Sequence, residues 1–376
     1  MATKGGFVMS QKIDVAAYIW PAYTGKEPRT KMFWPEGGGE WETVRAAMPK
    51  FEGHLWPRRP LWGYTDEADP AVMEMQINEA LRHGVNVFIY DWYWFDGRPF
   101  LEQCLNEGFL KARNNRDMKF YLMWANHDAN YSWDRRISYC KERRTVIWKG
   151  TTDVCNYKII AKHWFEDYFT LPNYYKIDGK PLISIYELRN FIDTFGGVKE
   201  TAEMMNWLNE EAKKYGLPGV HFQVIHTGAG SLNLSGVDGN VVADEVIAQL
   251  PFESITHYQY CHFTNVGRDY TEAMVDVKAT WESISDKFDA TYFPHVSIGW
   301  DNNPRFTPLR PNILTNNTPE VFEQALIDAK KFAEKKGVNM VTINSWNEWT
   351  EGSYLLPDDL YGYGYLDAVK KVFLDE

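Results

Sequence analysis

Short apolar runs alternate with amphipathic stretches along the whole chain, the pattern of βα units feeding a parallel sheet. The runs that read as buried strands are 14–19, 85–90, 119–124, 182–186, 220–225, 254–258, 292–298 and 338–343. Between them, segments 71–82, 100–112, 154–169, 200–215, 270–288, 319–336 and 366–374 carry helical periodicity, with Gly84 and Gly337 placed to stop two of them. Eight strands alternating with helices predict an α/β fold, a (β/α)8 barrel. No linker, repeat or low-complexity tract interrupts it, so the expectation is one domain over 12–376 after a short tail over 1–11. Two long segments without this periodicity, 31–64 and 129–150, are expected to form loops over the mouth of the barrel.

The unusual chemistry falls where the strands end. Asp91, Asn126, His226, Asp301 and Glu348 all lie just past apolar runs, and barrel enzymes build their sites at that end of the strands. The last run opens into Asn344-Ser345-Trp346-Asn347-Glu348-Trp349-Thr350-Glu351-Gly352, two carboxylates among indole rings. In a tight turn Glu348 and Glu351 converge on one small volume; in extended chain they diverge. Retaining glycosidases hold two carboxyls about 5–5.5 Å apart and inverting ones about 6.5–9.5 Å. The bland alternative is two solvated loop charges beside two core indoles. The end of the first strand brings Tyr18 and Trp20, and the sixth brings His257. Asp91-Trp92-Tyr93-Trp94 reads either as a sugar platform or as the bulky end of the second strand. Asn126-His127-Asp128 reads as a hydroxyl-binding corner or as a satisfied strand end. In Gly299-Trp300-Asp301-Asn302-Asn303-Pro304-Arg305, Trp300 is a candidate sugar contact. An Asp301–Arg305 ion pair fixing that loop is the competing explanation.

Composition narrows the function. Of 376 residues, 16% are aromatic, including 16 Trp and 22 Tyr, which offer flat apolar faces with polar edges, as a sugar requires. The same rings also suit a barrel that needs large fillers. Net charge is −11, from 40 basic and 51 acidic residues, and no basic stripe is visible in the sequence. Nucleic acid and anionic membrane surfaces are therefore not the expected partners. No window approaches the ~20 apolar residues of a membrane-spanning helix. Residues 1–11 lack the apolar segment of about 7–15 residues that marks a signal peptide. As written, the chain reads as cytoplasmic, or as one whose leader has been removed. Cys104, Cys140, Cys155 and Cys261 form no C-x-x-C pair, and the nine His form no H-E-x-x-H, so neither disulfides nor a metal is expected. Nucleophile-elbow, Walker and dinucleotide motifs are missing too, which leaves a cofactor-free reading.

The segment N-S-W-N-E-W-T-E-G-S-Y-L-L-P-D-D-L-Y-G-Y-G-Y-L from Asn344 to Leu366 resembles the C-terminal motif of glycoside hydrolase family 99-like proteins of the WbsX type. Gly299 to Arg305, Tyr90 to Gly97 and Asp178-Gly179-Lys180-Pro181 resemble the same family. The resemblance implies a (β/α)8 barrel acting on poly- or oligosaccharide, related to endo-α-mannosidases. In those enzymes the E-W-x-E motif carries both working carboxylates and configuration is retained. Carried onto this chain, Glu348 would deprotonate the sugar's own 2-hydroxyl, which attacks the anomeric carbon to give a 1,2-anhydro sugar. Glu351 would act as acid and then base, its pKa raised by burial against Trp349. Asn347 lies between them in the motif. One position departs: relatives commonly read W-A-N-E after the third strand, and this chain reads Trp124-Ala125-Asn126-His127. Proteins of this type are also often labelled glycosyltransferases, so transfer in surface-polysaccharide assembly is an alternative. A non-catalytic glycan-binding barrel is a third.

Overall fold

In the computed structural model, which describes residues 12–375, the parallel strands close into a (β/α)8 barrel. The expected tail over 1–11 lies outside the described residues. Seven strands are continuous: β1 Asp14–Ile19, β2 Val87–Phe95, β3 Lys119–Trp124, β4 Lys180–Ile185, β5 His221–Ile225, β6 Ser254–Thr256 and β8 Met340–Asn344. The seventh, β7, is split into Thr291–Tyr292, which pairs with β6, and His295–Ser297, which pairs with β8. Pro294 sits at the break and has no N–H to donate. The seam is nevertheless bridged: Phe293 N donates to Ile255 O (2.9 Å), and Pro294 O accepts from Thr342 N (3.0 Å). β1 pairs with both β2 and β8, so hydrogen bonding continues round the barrel. Polar side chains cross its interior. Gln223 Oε1 accepts from Ser184 Oγ at 2.9 Å, and Tyr18 Oη on β1 donates to His257 O at 2.9 Å.

The helices outside the barrel start where short side chains can cap them. Asp69, Asp269 and Thr318 accept from the first turns of Pro70–Arg82, Tyr270–Lys287 and Pro319–Lys336, and Gly337 ends the last in the left-handed region. Helices Leu188–Phe195 and Ala243–Gln249 escape the sequence pattern because they are short. The expected helix over 100–112 is absent. Arg98–Phe100 instead folds back on Tyr93–Phe95 as a hairpin, and only a π turn, Cys104–Gly108, and a 3-10 turn, Phe109–Lys111, follow. Among the described residues no helix is long and apolar enough to cross a membrane.

The largest departure shapes the site. β2 does not stop at Tyr90 but runs to Phe95, its aromatic residues favouring extended chain and pairing as far as Trp92↔Trp124. Side chains then alternate. Asp91 and Tyr93 face the mouth, whereas Trp92 packs outward on Trp164 at 5.4 Å and stacks on Trp94 at 6.0 Å.

A buried polar chain fixes the segment after β8. Trp346 Nε1 donates to Gln76 Oε1 (2.8 Å), and Gln76 Nε2 donates to Glu67 Oε1 (3.2 Å). Glu67 in turn accepts from Asn347 Nδ2 (2.9 Å to Oε2), while Asn347 Oδ1 accepts from Trp20 N (2.8 Å). Burial pushes the Glu67 carboxyl up from 4.5 to about 7 despite these donors. The native state therefore keeps this proton over a range where the unfolded chain has lost it. The resulting stability is complete below pH 4.5 and is lost as pH rises through 7. Glu67→Gln should remove about 3 kcal/mol of that fall between pH 5 and 8. Urea denaturation of both proteins across this range measures it, and identical pH slopes would show that Glu67 is ionised throughout.

Candidate active site

The chain leaves β8 through a tight path: Asn347–Glu348 pairs with Ser353–Tyr354, and a 3-10 turn, Trp349–Glu351, lies between them. Gly352 closes the turn at φ 63°, in the left-handed region that favours glycine. The turn sends Trp349 one way and both carboxylates the other. Glu348 Oε1 accepts from Arg305 Nη2 and Glu351 Oε1 from Arg305 Nη1, each at 2.6 Å. Two nitrogens of one planar guanidinium thus hold the two acids side by side. Arg305 reaches them from the 3-10 turn Asn303–Arg305, and its Nε donates to Glu40 Oε1 at 2.9 Å. Glu40 also accepts from Thr350 Oγ1 (3.0 Å) and from Trp20 Nε1.

Above this cluster lies a cavity of about 320 Å3. Of the residues expected at the site, Glu348, Glu351, Trp20, Asp91, Tyr93, His127 and Arg305 line it, together with Met123, Ala125, Trp133, Tyr186, Glu187 and Tyr258. Tyr258 Oη donates to Asp91 Oδ2 (2.9 Å) and to Glu348 Oε2 (3.3 Å), so it links the third carboxylate to the pair. Asp91 Oδ1 is buried with no hydrogen-bond partner. Glu351 is the more open acid: its side chain is 13% exposed, against 3% for Glu348.

The other expected contacts lie elsewhere. Trp94 is on the outward phase of β2. Asn126 spends its amide on the backbone of Glu187 (2.8 and 2.9 Å) and so fixes the end of β4. His257, the wrong phase for the mouth, stacks on Phe263 at 3.9 Å, and Tyr18 packs beneath the floor against Tyr258 at 4.8 Å. Asn347 belongs to the buried chain under the floor. Trp349 stacks on Tyr354 at 3.8 Å, away from the cavity, so the burial of Glu351 comes from other groups. Trp300 is half-buried outside the cavity. Asp301 does not pair with Arg305; it accepts from Trp56 Nε1 (2.6 Å) and contacts His54 Nε2 (2.7 Å). The 302–305 turn separates the two residues and points Arg305 inward.

The profile of the WbsX glycosyltransferase family matches residues 15–369. The chain belongs to the WbsX family. WxcX proteins from two strains of Xanthomonas campestris pv. campestris, described as uncharacterized, are 26% identical to it over 357 residues. These matches cover 92% of this chain and 47% of the WxcX proteins, so the chain spans about half the length of those relatives. In structure, the WbsX-family chain is similar to a glycoside hydrolase-like protein (TM-score 0.60, 16% identity, covering 96% of this chain and 94% of the other). It is similar also to the GH99 endo-alpha-mannosidase of Bacteroides thetaiotaomicron in complex with BIS-TRIS-propane (TM-score 0.58, 15% identity, 96% of each). At these identities the likeness is one of fold.

In this WbsX-family site three carboxyls, those of Glu40, Glu348 and Glu351, share one guanidinium, and Tyr258 joins a fourth, that of Asp91, to Glu348. Burial pushes Glu348 up well above its ordinary value, the neighbouring Glu351 adds to this, and Arg305 opposes it. Burial also raises Glu351, again against Arg305. Two acids this close titrate as a unit, and loading both with full charge is what the surroundings resist. Asp91 is pushed up by burial as well, and His127 is pushed down by burial, towards the neutral ring. Among the described residues no group of three His, Cys, Asp or Glu could hold a metal ion. Removing the counter-ion leaves buried carboxylates unpaired. Arg305→Gln should therefore cost about 3–5 kcal/mol at pH 8 and less at pH 5, where the acids can take up protons. Chemical denaturation at the two pH values measures both numbers; an equal loss at each would mean that the acids stay charged.

Proposed function

We propose that this chain is a glycoside hydrolase that cleaves an α-linked, mannose-type bond in a poly- or oligosaccharide with retention of configuration. One observation carries the reading: Glu348 and Glu351 share a single guanidinium at the floor of a cavity walled by Trp20, Tyr93, Trp133 and Tyr258. A fork of fixed span keeps two acids close enough to serve one sugar ring, and the rings around them supply stacking faces. Glu348, held by Tyr258 and Arg305, takes the proton of the 2-hydroxyl as O2 closes on C1. Glu351, the more open acid, gives its proton to the departing glycosidic oxygen. In the second half Glu351 removes a proton from water as that water attacks C1, the C1–O2 bond opens, and Glu348 returns its proton to O2. No protein nucleophile and no cofactor takes part. Asp91 Oδ1 and the neutral His127 are left to bind sugar hydroxyls.

The name of the family favours a second reading, glycosyl transfer in surface-polysaccharide assembly. The same two acids would then activate a sugar hydroxyl in place of water. A non-catalytic glycan-binding barrel is the third reading, and it has both Glu→Gln variants binding glycan as before with no turnover in the wild type.

Glu351→Gln should lower kcat/KM by about 10²–10⁴-fold on substrates with poor leaving groups, the usual worth of a general acid, and spare activated aryl glycosides. Steady-state kinetics on the two substrate types decide this; wild-type rates on both would remove Glu351 as the acid. Replacing the substrate's 2-hydroxyl by fluorine should abolish turnover, because O2 is the attacking atom. Product analysis showing continued cleavage of the 2-fluoro glycoside would exclude the anhydro-sugar route.

A further inference from the structure

On the outer side of the 302–306 turn a second hollow opens, about 430 Å3 in volume, with Cys261, Trp300, Asn302, Phe306 and Arg310 in its walls. It shares the 302–306 turn with the reactive cavity, to which that turn contributes Arg305. Arg305 lines the inner side of the turn, and the half-buried Cys261 thiol is pushed up by desolvation and by the carboxylate of Glu351 beyond it. Its walls include the rings of Trp300 and Phe306 and one cation, Arg310, with a second beside it. The guanidinium of Arg310 lies 4.1 Å over the ring of Phe306, and that of Arg143 lies 5.3 Å over the same ring.

Two more cations are gathered beside them. Thr307 N donates to Ser138 Oγ at 2.9 Å, which docks the 129–150 loop on this turn, and Lys50 Nζ donates to Thr307 O at 2.9 Å. Lys50 is pushed down by burial and by Arg135, against the pull of the Asp301 carboxylate, and Arg143 by burial, Arg310 and Arg144. Among the described residues none of Lys50, Arg135, Arg143 and Arg310 makes an ion pair with a carboxylate, and the Nε atoms of Arg135 and Arg310 are buried with no hydrogen-bond partner. The 129–150 segment holds six Lys and Arg against two acids in a chain of net charge −11. A patch that repels itself, in a protein with acids to spare, is matched to negative charge from outside.

We propose that the glycan lying across this site is acidic: a sugar residue neighbouring the reacting one rests on the half-buried Trp300 and places a carboxylate or sulfate between Arg310 and Arg143, whose guanidinium groups Phe306 supports. The proposal rests on the glycan-cleaving reading and specifies its substrate class. The cations fall in two pairs, Arg310 with Arg143 at Phe306 and Lys50 with Arg135 by Thr307, which fits charges spaced along a chain. Guanidinium forks suit these oxyanions in particular.

Calorimetric titration of the full chain tests this without relying on turnover. The probes are uronic acid oligosaccharides with their carboxyl-reduced counterparts, sulfated oligosaccharides with their desulfated counterparts, and UDP and GDP. At least one acidic probe should bind about tenfold or more tighter than its neutral counterpart, the worth of one charge-assisted hydrogen bond. The advantage should shrink at high salt and vanish in Arg143→Gln/Arg310→Gln, while Arg310→Lys, which keeps the charge, retains part of it. Circular dichroism establishes that each variant is folded, and the uronate and sulfate arms identify which anion is taken. The proposal is overturned if no acidic probe outbinds its neutral counterpart, if the preference survives the double variant, or if only UDP or GDP binds through Arg310. Charge preference without turnover would sink the hydrolase reading alone; turnover without charge preference would sink this one alone.

Discussion

The arrangement above the barrel depends on one buried cation. Arg305 is 11% exposed and holds Glu40, Glu348 and Glu351 at once. Desolvating a guanidinium and three carboxyls is costly, and a buried pair commonly gains less than it loses. What it supplies is position: the planar fork fixes where two acids sit relative to each other. Because three acids compete for one positive charge, the cluster favours holding a proton. Acid–base chemistry needs that state, with one group able to give a proton while its neighbour can take one. The arrangement is strained electrostatically in favour of proton movement and geometrically against side-chain movement.

The scaffold keeps that cluster in register from beneath. Asn347 clasps the backbone of Trp20 on both sides, its amide oxygen taking the N–H and its nitrogen giving to the carbonyl at 2.9 Å. Glu348 N donates to Ser345 Oγ at 2.7 Å, and Trp349 N to the Tyr23 hydroxyl at 3.1 Å. The ends of β1 and β8 are therefore tied by side chains as well as by their ladder. Trp20 and Glu348 sit on opposite sides of that tie, so the indole wall and the carboxylate move together or not at all. Residues that look like sugar contacts in the motif, Asn347 and Trp349 above all, hold the scaffold instead.

Much of this was legible in the residues, and the misses share a cause. Strands β1 and β3 fall where their apolar runs predict, and the E-W-T-E turn was recognisable as the place for paired acids. Errors enter where the choice depends on which face a side chain takes. Reading β2 as ending at Tyr90 made Asp91 through Phe95 one loop-borne cluster; as strand, it splits into Asp91 and Tyr93 facing the cavity and Trp92 and Trp94 facing away. In the sixth strand the expected contact, His257, lies one position from Tyr258, the residue that lines the cavity. Counting alternate residues through the run would have exposed both. Glu40 and Trp133 carry no such signal. They arrive from loops whose path depends on what they pack against, as when Trp133 meets Tyr93 and Trp20 at ring distances of 6.0 and 5.4 Å. The cationic rim was invisible for the same reason: Lys50, Arg143 and Arg310 are far apart in sequence and meet only through Phe306 and Thr307.

Hydrolysis and transfer differ in what reaches the sugar after the leaving group departs, not in the acids that release it. With Glu348 and Glu351 in the roles proposed for them, either outcome would follow. The deciding feature is how well an acceptor sugar is held compared with water. Tight seating of a second glycan would raise its local concentration against water, and effective molarities in oriented systems reach about 10⁵ M or more. Under the proposed reading, the hollow beyond the 302–306 turn is where such a segment would rest, since it shares that turn with the cavity of the carboxylates and has Trp300 in its wall. The two proposed reactions thus differ in whether a glycan held there would be the portion being cut or the portion receiving the sugar.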